Sequence, residues 1–81
     1  MAVKQLLANG ECRQCDLSGV DLRMTNLSGS DLSGANLDKA ILYGSDLSDA
    51  DLQGASLHGT SFARTNLSRA NLEGVVIKRG R

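Results

Sequence analysis

The chain contains no proline and no tryptophan, and its aromatic content is one tyrosine and one phenylalanine, Tyr43 and Phe62. Without proline, no backbone donor is missing from any hydrogen-bonded ladder. Without large rings, the usual source of buried area in a small domain is closed. At 81 residues the chain makes one small domain, a size at which core burial is marginal. Stability must then come from repetition of medium-sized side chains. Net charge is absent too: nine Lys and Arg balance nine Asp and Glu, which argues against a simple nucleic-acid or membrane-surface binder. No apolar run approaches the ~20 residues needed to span a bilayer, so no membrane association is expected. Residues 1–9 are too short and polar for a secretion signal. The cytoplasm is the default compartment, with the periplasm or a thylakoid lumen in its place if a leader has been removed.

The zero charge hides an asymmetry. Between Gly10 and Thr60 eight acids face three bases, whereas beyond Ser61 Glu73 alone stands against Arg64, Arg69, Lys78, Arg79 and Arg81. An elongated molecule would therefore be acidic over most of its length and basic at its C-terminal end. A solvated surface with a basic tail accounts for this more simply than a dedicated partner site.

What the sequence has in abundance is a period of five. Leucine recurs at Leu17, Leu22, Leu27, Leu32, Leu37, Leu42, Leu47, Leu52 and Leu57, and Phe62, Leu67, Leu72 and Ile77 continue the phase. Cys12 fits the same phase one unit earlier. Two residues before each centre the side chain is small, as at Cys15, Ala35, Ser45 and Ala55. Directly before it Asp or Asn dominates, and glycine often follows two places after it. Steps of five would carry leucines around every side of an α-helix and to alternating faces of a strand. The chain must instead turn once per unit, with Gly, Asn, Asp and Ser at the corners and every centre pointing to a common axis.

The units Ala35-Asn36-Leu37-Asp38-Lys39 and Ala50-Asp51-Leu52-Gln53-Gly54 resemble those of the pentapeptide-repeat proteins. The resemblance extends over roughly Cys12 to Arg79, and a tandem run of that length is highly specific. It implies a β fold, a right-handed quadrilateral β-helix (solenoid) of about 3.5 coils with four pentapeptides per coil, stacked by parallel bridges. Spacing alone does not choose four units over three. The opening Leu6 to Leu17 also resembles that of bacterial and cyanobacterial members in which a short α-helix lies over the first coil. The expected organisation is therefore an N-terminal helical cap at 1–11, the β-helix at 12–79 and a basic tail at 80–81. Within the cap, Val3, Leu6 and Leu7 fall at helical spacing and Gly10 is a plausible stop.

With twenty residues per coil, four core ladders follow: Cys12-Leu32-Leu52-Leu72, Leu17-Leu37-Leu57-Ile77, Leu22-Leu42-Phe62 and Leu27-Leu47-Leu67. Each buried leucine contributes ~1.5–3 kcal/mol of transfer free energy. The C-terminal end, Val75-Val76-Ile77, carries no cap in this reading. It is a candidate site for a homodimer stacked through the C-terminal coil, opposed by the basic tail.

Candidate chemistry is sparse. Cys12 and Cys15 form a C-x-x-C, a weak signal by itself. Both occupy inward phases and read first as two small buried hydrophobes. A disulfide between them, stapling the first turn in an oxidising compartment, is the alternative, with redox activity or metal binding behind it. Zinc wants four ligands, and the single histidine lies more than two coils away. His58 falls in one column with Ser18, Asp38 and Lys78, yet Ser18 and His58 would be two rungs apart, ~9.6 Å, beyond hydrogen-bond reach. Asp49 with Arg69, and Arg23 with Tyr43, fall one rung apart as weak surface pairs.

One deviation stands out. Ile41 replaces the Asp or Asn of its unit, and Met24, Tyr43 and Ala63 occupy outward phases on neighbouring rungs. A scattered surface substitution explains this most simply, and a docking patch is the alternative.

These features predict no enzyme, no cofactor and no metal. The expected function is a structural or protein-interaction module with an unidentified protein partner. A DNA-mimicking topoisomerase (gyrase) binder is the alternative that the resemblance raises, but this chain is short, uncharged overall and uninterrupted. A module of a longer or engineered assembly is the third.

Overall fold

The computed structural model describes residues 2–77 of the chain. Met1, Lys78, Arg79 and the expected tail at 80–81 lie outside the described residues.

Each five-residue unit makes one corner of a coil. The carbonyl of the centre accepts a hydrogen bond from the N–H three residues on, as in Val20 N to Leu17 O at 3.2 Å and Ala55 N to Leu52 O at 2.9 Å. The residue before that donor has a positive φ at every corner from Gln14 to Gly74. This is the arrangement of a type II turn, whose third residue favours glycine. Glycine takes seven of these corners; Gln14, Met24, Lys39, Asp49, Arg64 and Arg69 take the other six, with φ between 53° and 63°.

Among the described residues, coils are joined by ten isolated parallel bridges, each linking a residue to the one twenty positions later, from Glu11 with Asp31 to Ser56 with Val76. Four units per turn, which spacing could not decide, are thereby fixed. Centre N–H groups donate upward (Leu32 N to Asp51 O, 2.7 Å) and the preceding N–H groups donate downward (Asp51 N to Ser30 O, 2.8 Å). The product is a prism with extents of 36 × 24 × 23 Å, nearly square in section. Its four faces are numbered here by their centres: face 1 carries Cys12, Leu32, Leu52 and Leu72; face 2 Leu17, Leu37, Leu57 and Ile77; face 3 Leu22, Leu42 and Phe62; face 4 Leu27, Leu47 and Leu67.

The core is the four ladders together with the small inward residues. Leu32, Leu37, Leu42 and Leu47 are wholly buried, as are Ala35, Ala40 and Ala55. At Ser45, Thr60 and Thr65 the small residue carries a hydroxyl that bonds to the coil below. Thr60 Oγ1 donates to Leu37 O and Thr65 Oγ1 to Leu42 O, both at 2.7 Å. The buried Ser45 hydroxyl donates to Leu22 O and accepts from Thr25 N at 3.0 Å, bridging a corner that lacks the direct bond.

Outside the core, the Asp or Asn before each centre turns its side chain forward. Asp16 Oδ1 accepts from Ser18 N at 3.1 Å and Asn36 Oδ1 from Asp38 N at 2.9 Å, and the motif repeats at positions 21, 26, 31, 46, 51, 66 and 71. Such Asx geometry satisfies an N–H that faces away from both neighbouring coils.

The corner columns follow a steric rule. A Cβ on Gly34 would stand 3.0 Å from Gln14 Cγ, one on Gly59 3.5 Å from Lys39 Cγ, and one on Gly44 would collide with Met24 Sδ. Each large corner residue thus drapes over a glycine of the next coil. Asp49 and Arg69 are the described pair in which both are large, and they form an ion pair at 2.8 Å.

Helix α1 spans Ala2–Asn9 and ends where Gly10, at φ +70°, donates to Leu6 O at 2.8 Å. Leu6 is buried against the first coil, with Ala2 and Val3 packed beside it, whereas Leu7 is 57% exposed. Leu7 was expected on the packed side with Val3 and Leu6. A helix two turns long presents only one narrow stripe to a flat floor, and Leu7 lies a further 100° around from Leu6. Glu11 already pairs with Asp31, so bridging begins one residue ahead of the expected boundary at 12. Gln5 Nε2 donates to Glu11 O at 2.9 Å, tying the helix to that first rung.

Candidate functional site

The repeat departs from its own rule at Ser56 and Val76 on face 2 and at Ile41 and Ser61 on face 3. At the position of Asp21, the middle coil carries Ile41 and the upper coil Ser61, and neither supplies the Asx acceptor. The Tyr43 N–H accordingly finds no acceptor among the described residues. Ile41 keeps its bridges to Asp21 and Ser61 and is half-buried. Around it Met24 is 74% and Tyr43 41% exposed, and Ala63 is exposed above them. The structure therefore does bring Met24, Ile41, Tyr43 and Ala63 together on one face. Arg64, exposed at the corner beside Ala63, has no ion-pair partner among the described residues.

Arg23 lies beneath Tyr43 but does not pair with it. Its guanidinium instead grips Asp21 of its own coil, Nε and Nη2 donating at 2.9 and 2.8 Å. The Asx bond from Arg23 N already holds the Asp21 carboxylate at the root of the arginine, so the ionic partner two residues back wins over a neutral ring one rung up. The arginine holds that carboxyl below its usual range. Asp49 and Arg69 pair across rungs as the register suggests, and Arg69 lowers the Asp49 carboxyl in the same way.

A second apolar surface is the upper side of the last described coil. The first coil, under α1, keeps Leu17, Leu22 and Leu27 at 0–2% exposure, while Leu72, Val76 and Ile77 are 44%, 46% and 59% exposed. Leu57, Phe62, Leu67, Leu72, Val75 and Ile77 line a shallow hollow there.

The column of Ser18, Asp38 and His58 does not assemble a triad. Ser18 Oγ donates to Asp16 at 2.7 Å, and Asp38 Oδ1 accepts from Ser56 Oγ at 2.5 Å and from the His58 main-chain N–H at 3.0 Å. Ser56 stands where Asp or Asn would supply the Asx acceptor, and Asp38 reaches up one rung to supply it instead. The Ser56 hydroxyl is the main cause that lowers the Asp38 carboxyl. Lys78 of that column lies outside the described residues.

Cys12 and Cys15 are joined as a disulfide with Cα atoms 5.2 Å apart, not two separate thiols as the simpler reading had them. The corner explains it: residues i and i+3 of a turn lie within 7 Å, inside the span a disulfide bridges, and both side chains face the axis. Cys12 is fully buried and Cys15 half-buried. Among the described residues no group of three or more His, Cys, Asp or Glu is placed to hold a metal, and no helix is long and apolar enough to cross a membrane.

Three residues carrying structural roles escaped the sequence reading: Ser45 as a buried bridge, Asp38 as a cross-rung acceptor and Arg23 as the partner of Asp21. A hydroxyl at a small inward position, and a missing Asp or Asn, were the available signals for the first two.

The comparisons bear on the whole chain. The sequence pattern described as pentapeptide repeats matches residues 11–49 and 45–79. Among solved structures, the pentapeptide repeat protein Rfr23 of the cyanobacterium Cyanothece 51142 is 35% identical over 84% of this chain, with a TM-score of 0.81. This chain covers 47% of that protein's length. A pentapeptide repeat protein of Nostoc PCC 7120 is 33% identical over 96% of this chain and 74% of its own, with a TM-score of 0.37. One from the Arabidopsis thaliana thylakoid lumen is 28% identical over 80% of this chain and 49% of its own, with a TM-score of 0.44. None of the curated proteins matches the chain. A match running from the first bridge to beyond the last, and a twenty-residue register to accommodate it, make the chain a member of the pentapeptide-repeat family, whose fold is the right-handed quadrilateral β-helix.

Proposed function

We propose that this prism of about three and a half coils, capped by α1, is a non-catalytic interaction module that binds a protein partner through face 3. The observation that carries the reading is the break in the Asx ladder. Ile41 gives up an acceptor that most other units possess, and the loss coincides with the exposed Met24, Tyr43 and Ala63. An apolar patch rimmed by polar residues marks a contact site. Arg64 on its edge, without an ion-pair partner among the described residues, suits a partner segment that presents apolar side chains beside a carboxylate. Beside the patch, the Asp21 carboxylate is held by Arg23.

Ile41→Asp tests this without attacking the fold, because it restores the residue type that the repeat places there. A protein retained by the wild type should be lost by Ile41→Asp and weakened by Arg64→Glu, yet retained by Gln53→Glu on the opposite face, face 1. Equal retention by all three variants would refute the docking face.

A second reading concerns self-association. The contrast between the first coil and the last supports a homodimer stacked through Val75, Val76 and Ile77. Light scattering across a concentration series should show a dimer that Ile77→Arg converts to monomer; a wild-type monomer at every concentration eliminates it. The topoisomerase-binding DNA mimic draws less support. Arg13, Arg23 and Arg69 interrupt the carboxylates on faces 1, 3 and 4, leaving no continuous acidic stripe. The disulfide supports an oxidising compartment, the periplasm or a thylakoid lumen, over the cytoplasm.

A further inference from the structure

We propose that the Cys12–Cys15 disulfide is a redox latch for the α1 cap, released by a dithiol reductant. The argument begins with what the cap stands on. An eight-residue helix is too short to persist alone in water, so α1 depends on the first coil as its floor. It rests there through Leu6, Val3 and Ala2, with Gln5 Nε2 on Glu11 O. The corner at residues 12–15 is part of that floor, and Cys12 Sγ lies 3.5 Å from the carbonyl oxygen of Ala2, the first residue of the helix.

This corner lies at the very end of the prism. Its centre is Cys12, where every later centre on face 1 is a leucine. Among the described residues it is α1 that packs beneath it. Its third residue, Gln14, is held at φ +58°, a conformation that non-glycine residues adopt at a cost. Lys39 and Asp49 are held between two coils, whereas Gln14, like Met24, has a neighbouring coil on one side alone. The disulfide closes this same four-residue loop and holds the corner without help from below.

The two sulfurs differ in access. Cys15 is half-buried and Cys12 fully enclosed. A reductant thiolate attacks Cys15 Sγ; the S–S bond breaks and Cys12 leaves as a thiolate that takes up a proton. The second thiolate of the reductant then attacks the mixed disulfide, freeing Cys15, and the reductant leaves as its own disulfide. Two electrons pass from dithiol to protein. With the corner free to relax, α1 loses its seat, and Leu17, Leu22 and Leu27 become an exposed apolar end like the one at Leu72 and Ile77.

Hydrogen exchange read by mass spectrometry on the whole chain tests this, with and without dithiothreitol, alongside Cys12→Ala/Cys15→Ala. Reduction should speed exchange of the amides of Val3 to Gly10 at least tenfold and leave those of Leu42, Leu47 and Leu52 unchanged, and the double variant should match the reduced protein. Equal exchange of α1 in both redox states overturns the latch. Faster exchange throughout the prism also overturns it, since the bond would then support the whole fold and not the cap.

Discussion

Leucine to alanine at Leu32, Leu52 and Leu72 poses one question three times. The three side chains belong to one ladder on face 1, make the same change in chemistry, and differ chiefly in what lies above them. Leu32 and Leu52 are 0% and 1% exposed, and Leu72 is 44% exposed. At the two covered sites the substitution removes the transfer free energy of the side chain and leaves a cavity that stacked coils cannot close, for a cost of about 3 kcal/mol within a range of about 2–5. At Leu72 only about half of the side chain has left water and no enclosed cavity forms, so the loss is about 1–1.5 kcal/mol. Urea unfolding followed by far-UV circular dichroism reads all three, at a protein concentration low enough to hold the chain monomeric. The expected order is Leu32 and Leu52 together, then Leu72 at half their cost or less. Equal losses at all three sites would refute the account of an open last coil. Repeating the series at high concentration separates causes: if copies stack end to end, the cost at Leu72 alone grows.

Acid sensitivity should follow from the exposed carboxylates. Asp16, Asp31 and Asp46 are held low chiefly by the hydroxyls of Ser18, Ser33 and Ser48, Asp38 by that of Ser56, and Asp21 and Asp49 by Arg23 and Arg69. Folded values below the unfolded one mean that their contribution is complete above ~3.9 and is lost as pH falls through the folded values. Unfolding free energy should therefore be flat from neutral pH to about 5 and decline below about 4, and Ser56→Ala should raise the Asp38 midpoint in an NMR titration. Asn26→Ala removes the acceptor of Ser28 N and Oγ and should cost about 0.5–1.5 kcal/mol, whereas Asn26→Asp keeps the acceptor and should stay within about 0.5 kcal/mol of wild type in the same urea assay. Lys39→Gly relieves a corner at φ +63° and should raise the thermal midpoint, a gain of about 0.5–1 kcal/mol.

The ladders were legible because a buried leucine every fifth residue leaves one geometric solution, and the small residue two places earlier has one place to go. Four units per coil were not: the core looks the same at three, and the backbone bridges decide the number. The site was legible in part. Ile41 advertised itself by breaking the Asp/Asn column, but a ladder of phases cannot say that Arg23 prefers Asp21, two residues away, to Tyr43, one rung up. Nor can it say which face of a two-turn helix meets the floor, which is why Leu7 was misplaced. The cysteines could be put inside the first coil from their phase, yet bonding between them depends on a corner whose Cα separation only the folded chain reveals.

The corner columns have a consequence for how the chain finds its register. Every centre is nearly the same leucine, so the core alone would tolerate a coil of fifteen or twenty-five residues almost as well as one of twenty. The corners do not. In the native stacking each large corner residue meets a glycine, or, at Asp49 and Arg69, its opposite charge. A coil shorter by one unit would set Met24 against Lys39; a coil longer by one unit would set Gln14 against Lys39, Met24 against Asp49 and Lys39 against Arg64. Side-chain bulk on the outside of the prism thus counts the residues that the uniform interior cannot, and deleting one pentapeptide should disturb this molecule more than deleting four.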